Sequence, residues 1–179
     1  MNEGHSAAWD QEWNKAASAY RSALQEMPDH PKALNSLGLA LFQQGNFEES
    51  LQIYKRVAQI TPTDPSPMEK LAQLLERTGH LKEAIDAAFR AADLFLNQRD
   101  VDKAIENWVR VTTLEPEHVL AHSRLALTHE RLEHKPQAVT EYIAVASLIQ
   151  RTGNVEKTTE LVNKALQIMP ESAEAKQAQ

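Results

Sequence analysis

Apolar residues recur along this chain at helical spacing, in blocks cut at regular places by proline and glycine. Pro28, Pro31, Pro62, Pro65, Pro67, Pro116 and Pro170 stand between blocks, where one helix has ended and the next begins. Gly45, Gly79 and Gly153 mark tight turns inside pairs of helices. The pattern predicts helices at about 11–27, 32–44, 47–60, 66–78, 81–97, 101–114, 119–132, 135–151 and 155–168. Pro136 fits the start of its helix, where a missing N–H costs nothing. Stretches of β-branched residues with alternating polarity are few, so the reading is all-α.

Residues 65–118 also match residues 119–172 over 54 positions without a gap. Leu71 falls on Leu125, Ala72 on Ala126, Arg77 on Arg131 and Ala84 on Ala138. Val101 falls on Val155, Lys103 on Lys157 and Pro116 on Pro170. Self-similarity at a fixed period marks a repeat protein, in which each unit buries its apolar face against its neighbours.

Residues 31–64 closely resemble a tetratricopeptide repeat. Leu34, Leu37–Gly38 and Leu41 fill the first-helix pattern of that family, and Gly45, Phe47, Ser50, Tyr54, Val57 and Pro62 fill the turn and second helix. Only Val57 is larger than usual. Small Gly38 and Ser50 let the paired helices approach closely, while Leu34, Leu41 and Tyr54 fill the space beside them. The same pattern continues in both directions. Gly4, Trp13, Ala16, Tyr20, Ala23 and Pro28 fit part of a preceding repeat. Leu71–Ala72, Leu75, Gly79, Leu81, Ala84 and Ala91 fit a following one, with Ala88 in place of an aromatic. Val101, Ala104, Trp108, Val111 and Pro116 close another. Leu125–Ala126, Ala138, Tyr142 and Val145 open a fifth, and Gly153, Val155, Thr158, Ala165 and Pro170 close a sixth. The resemblance implies a right-handed α-solenoid of antiparallel helix pairs.

The 54-residue period departs from the family, since two repeats of about 34 residues would need about 14 more. One helix is therefore shared: the second helix of one repeat serves as the first of the next. Ala88 and Ala91, and again Tyr142 and Val145, fill slots in both repeats. Residues 81–97 and 135–151 should be long helices, each packed between two neighbours. The expected organisation is one repeat domain: a truncated repeat at 1–30, a regular one at 31–64, three-helix units at 65–118 and 119–172, and a polar tail at 173–179. Gly4 matches the middle of a first helix whose start is absent, which suggests a piece of a longer protein or an end that pairs with another chain.

Composition narrows the function. The 179 residues include no cysteine, which removes disulfides, thiolate catalysis and Cys-ligated zinc. The longest apolar run, Leu39 to Phe42, is too short to span a membrane, and the first residues are acidic and polar, unlike a signal peptide. The expectation is a cytoplasmic protein. A net charge of −6 argues against a nucleic-acid surface.

Candidate chemistry is sparse. His118, His122, His129 and His134 invite a metal reading, but His129 and His134 are five apart and should point to different faces of one helix. His122 and His129 fall in apolar repeat slots, so no native metal site is expected. No phosphate loop, nucleophile motif or apolar carboxylate pair is present, so neither catalysis nor a cofactor is expected. Trp13 and Trp108 occupy packing slots, whereas Trp9 should be exposed.

The resemblance instead implies that the first helix of each pair lines a concave groove holding a peptide. The matching positions are Lys32, Asn35, Ser36, Leu39, Phe42 and Gln43, then Glu69, Lys70, Gln73, Glu76 and Arg77, then Ser123, Arg124, Leu127, Glu130 and Arg131. Asn35 and Leu39 depart from the family's set for chaperone carboxylate tails, so that ligand is rejected. Arg77, Arg131 and Arg151 suit either an acidic peptide or, preferred at this stage, the negative ends of their own helices. The expected function is a non-catalytic scaffold binding a peptide or helix of a partner protein. Self-assembly through the truncated ends, or a regulatory segment of a larger enzyme, are the alternatives.

Overall fold

Six helix starts carry a side-chain cap in the computed structural model, which describes residues 2–178. His30, Asp64, Asp100, His118, Asn154 and Ser172 each accept a hydrogen bond from a backbone N–H two or three residues ahead. These groups satisfy amide protons that a helix start otherwise leaves without a partner. Among the described residues all the regular elements are α-helices, in two compact units, Met1–Gln98 and Arg99–Gln179. The first unit holds α1 (Asn2–Trp9), α2 (Trp13–Glu26), α3 (Pro31–Gln43), α4 (Phe47–Ile60), α5 (Pro65–Arg77) and α6 (Leu81–Asn97). The second holds α7 (Val101–Leu114), α8 (Val119–Arg131), α9 (Lys135–Gln150), α10 (Val155–Ile168) and α11 (Ala173–Gln177).

The helices at 47–60, 81–97, 101–114 and 155–168 start and stop where the sequence pattern puts them. The clearest difference is at the first break. Residues 11 and 12 belong to a turn rather than to α2, while the stretch around Gly4 is a helix, as its match to a first repeat helix implies. Tail residues 173–177, a weak helix start by sequence, form α11 with Ala175 buried.

Two kinds of turn alternate. One follows a helix end with a proline and a capped start, as at Pro62–Asp64 and Pro116–His118. The other reverses the chain within a pair through one residue of positive φ. Gly45, Gly79 and Gly153 fill that place at φ 78°, 80° and 80°, as their sequence positions predict. Gln11, Arg99 and Glu133 occupy the same conformation at φ 59°, 64° and 58° without being glycine. A left-handed non-glycine residue costs about 1–2 kcal/mol. Glu133→Gly should therefore stabilise the chain by about 1 kcal/mol, visible as a higher midpoint in thermal unfolding followed by circular dichroism. An unchanged or lowered midpoint would mean that Glu133 makes a compensating interaction.

Consecutive helices pack on one another within each unit. In the first, Ala7, Ala16, Ala17, Tyr20, Leu37, Ala40 and Leu41 form a buried cluster across α1, α2 and α3. Between α3 and α4 the small-residue contact is as expected: Ser50 Oγ donates to the Gly38 carbonyl at 2.7 Å, and a Cβ on Gly38 would lie 2.9 Å from the Tyr54 ring. Gly4 stands to Tyr20 as Gly38 does to Tyr54, its virtual Cβ 2.7 Å from that ring. In the second unit α9 is a long helix packed against both α8 and α10. Ala126, Val139, Tyr142, Ile143, Ala146, Val162, Ala165 and Ala175 form one core across α8, α9, α10 and α11. That is the shared-helix arrangement expected from the double roles of Tyr142 and Val145.

Candidate functional site

Leu39, Phe42 and Gln43 sit at i, i+3 and i+4 on α3, so they share one face of its second half. Lys70, Gln73, Leu74 and Arg77 do the same on α5. The two faces meet over Tyr54 of α4, and Leu39, Phe42, Gln43, Tyr54, Lys70, Gln73 and Leu74 line a pocket of about 110 Å³. Five of these are groove residues read from the sequence. Tyr54 was legible only as a packing position and Leu74 was not singled out; they supply the floor: Leu74 is fully buried and Tyr54 is 3% exposed. Burial raises the Tyr54 phenol to about 12, so it stays neutral, and its hydroxyl donates to the Asn35 carbonyl at 3.5 Å.

Arg77 is placed differently from the sequence expectation. It does lie in the last turn of α5, but its guanidinium stands over two aromatic rings, 5.6 Å from the Phe42 centroid and 4.9 Å from that of Phe47. The rings themselves pack at 5.6 Å with a 59° tilt. Stacking of this kind holds a guanidinium in place while leaving its N–H groups for another partner. Lys70 Nζ donates to Gln73 Oε1 at 3.2 Å. Among the described residues Lys32, Lys70 and Arg77 enter no ion pair, whereas Arg21, Lys55 and Arg56 of the same unit pair with Glu49, Glu83 and Asp29. Lys32 is exposed at the start of α3, Asn35 is half-buried, and Leu39 is 41% exposed at the pocket rim.

In the second unit Arg124 and Arg131 are exposed on α8, on a face that also shows Leu120 and Leu127. Arg151 instead forms an ion pair with Glu117. Glu130 is engaged as well, accepting from the Tyr142 hydroxyl at 2.6 Å and pairing with Lys164 at 2.6 Å. Those two bonds, Lys164's first, hold its carboxyl below the usual range. Burial and the bond to Glu130 push Tyr142 up.

The histidines depart from their sequence reading. His122 is half-buried, with Nδ1 2.6 Å from Glu141 Oε2 and Nε2 3.0 Å from the Pro116 carbonyl oxygen. His129 and His134 do not point apart. Because α8 stops at Arg131, the turn folds His134 back, and the two Nδ1 atoms lie 3.4 Å apart. Burial lowers the basicity of His129, the neighbouring His134 adds to this, and Glu141 partly opposes it. Trp108 is fully buried, as its packing slot predicts, and Trp9 is 89% exposed, as expected; Trp13, in the other packing slot, is only half-buried.

Hairpins of short helices, small residues at the pair contact and aromatic filling beside them define a helical-repeat protein. A family model described as tetratricopeptide repeat matches residues 1–65 and 89–148, and the chain belongs to that family. Anaphase-promoting complex subunit 3 of Schizosaccharomyces pombe is 20% identical over 169 residues, covering 87% of this chain and 25% of that subunit. Protein O-mannosyl-transferase Tmtc1 of Drosophila melanogaster is 32% identical over 83 residues, 46% of this chain and 10% of that protein. The chain thus spans a quarter or less of these relatives' length. Among solved structures, MamA superposes with a TM-score of 0.50 at 20% identity over 86% of this chain and 98% of that one. The type III secretion translocator chaperone SycD of Yersinia enterocolitica superposes at 0.58 and 15%, over 63% and 78%. These two likenesses concern the fold. No helix of the described residues is long and apolar enough to cross a membrane.

Proposed function

We propose that this chain is a non-catalytic protein-interaction scaffold whose α3–α4–α5 groove takes a segment of a partner protein. The observation that carries the reading is an apolar pocket bordered by Lys70 and Arg77, cations that enter no ion pair among the described residues. The pocket, about 110 Å³, has room for one aliphatic side chain and is well below the size of a cofactor site. Lys70 and the stacked Arg77 stand at the same site, with Lys32 farther along α3, so the preferred segment carries carboxylates beside that side chain. The fold is shared with a secretion chaperone and with a chain of the CopN–Scc3 complex, which is in keeping with protein partners.

The test is selection from a display library of random peptides, with binding constants then measured for the enriched sequences. Enrichment of aliphatic–acidic sequences is expected, and both Arg77→Glu and the rim substitution Leu39→Glu should weaken binding about tenfold or more, some 1.4 kcal/mol. Both residues are exposed, so the variants should fold. Enriched peptides that bind both variants as tightly as the parent would refute the site.

A further inference from the structure

We propose that His129 and His134 form a two-imidazole site for a divalent transition-metal ion, of which zinc fits best. The geometry is local and already assembled. His134 is the residue before α9, and its backbone N–H donates to the His129 carbonyl at 2.9 Å. The turn between them passes through Glu133 at φ 58°. This closes the end of α8 and sets the two rings edge to edge with their Nδ1 atoms facing, the centroids 5.6 Å apart and the planes 40° apart.

The spacing of the nitrogens, also that of a hydrogen bond between the rings, fits a tetrahedral ion. Two ligands at 2.0–2.1 Å from a tetrahedral centre stand about 3.3–3.4 Å apart, and the two Nδ1 atoms are 3.4 Å apart. A square-planar ion with similar bond lengths would need them closer, at about 2.9 Å. Two features add to the fit. The C-terminal end of α8 presents carbonyl groups whose dipole favours a cation. His134 is exposed, which opens the site to solvent. No group of three or more metal-ligating side chains occurs among the described residues, so water would complete the coordination and the ion would exchange readily.

The experiment is calorimetric titration of the metal-free full chain with zinc chloride in a non-chelating buffer. One equivalent should bind, and His134→Ala and His129→Ala should each lower the affinity at least tenfold. His5→Ala, on exposed α1, should leave it unchanged. Cobalt(II) in place of zinc should give the visible absorption of a four-coordinate ion, lost in His134→Ala. Circular dichroism confirms that each variant is folded. No binding at millimolar zinc, or binding that His134→Ala leaves intact, would overturn the proposal.

Discussion

Trp108→Ala should cost about 3–5 kcal/mol, the largest loss expected from any single substitution in this chain. The indole is fully buried and is the largest of the fully buried side chains. Its truncation removes a large apolar area and leaves a cavity that rigid helices fill poorly. A second variant tests the explanation rather than the size. The indole Nε1 is buried without a hydrogen-bond partner, which carries a desolvation cost of about 1–3 kcal/mol. Phenylalanine has no such donor. Trp108→Phe should therefore lose less than half as much as alanine in urea unfolding followed by circular dichroism. Equal losses for the two would mean that the indole N–H makes a stabilising interaction that phenylalanine cannot replace.

Tyr54→Ala should be nearly as severe, at about 3 kcal/mol or more, and it should change the sign of a second substitution. Gly38 lies on a helix, where alanine is favoured over glycine by about 1 kcal/mol. In the parent protein that gain is overturned, because the new Cβ would stand 2.9–3.2 Å from three atoms of the Tyr54 ring. The Tyr54 ring is buried and its hydroxyl is held by the Asn35 carbonyl, which resists its retreat. Gly38→Ala should therefore destabilise the parent by about 1–3 kcal/mol and stabilise the Tyr54→Ala background. The double-mutant cycle reads this directly. Additive effects would show that the ring does not set the helix spacing. The same truncation removes the floor of the groove pocket, so peptide binding should fall with it.

Much of the fold is legible because repeat packing imposes residue size at fixed intervals. Gly38 and Ser50 had to be small, and Leu34, Leu41 and Tyr54 large, for two helices to meet with hydroxyl-to-carbonyl bonds from Ser50 and Tyr54 between them. The shared helix α9 was legible for the same reason, since Tyr142 and Val145 must satisfy neighbours on two sides. The residue of positive φ was legible only where glycine marks it. Gln11, Arg99 and Glu133 adopt the same backbone without that signal, because hydrogen bonds on either side of the turn force it. The misplaced start of α2 follows from Gln11. The misreading of His129 and His134 has its cause at Glu133: helical spacing applies only inside a helix, and α8 ends between them. For the groove, sequence pattern put Leu39, Phe42, Gln43, Lys70 and Gln73 on facing helices. The capture of Arg77 by two rings depends on their tilt across a helix pair, which spacing alone does not encode.

The central claim is that the groove between α3 and α5 receives a partner segment. Its most direct test is a set of proton–nitrogen correlation spectra of the labelled chain, recorded as the most strongly enriched display peptide is added. The account predicts that shifts concentrate at Leu39, Phe42, Gln43, Gln73 and Arg77, and that they vanish in Arg77→Glu. Shifts confined to α4 and α6, with α3 and the Arg77 turn unmoved, would place the binding surface elsewhere and contradict it.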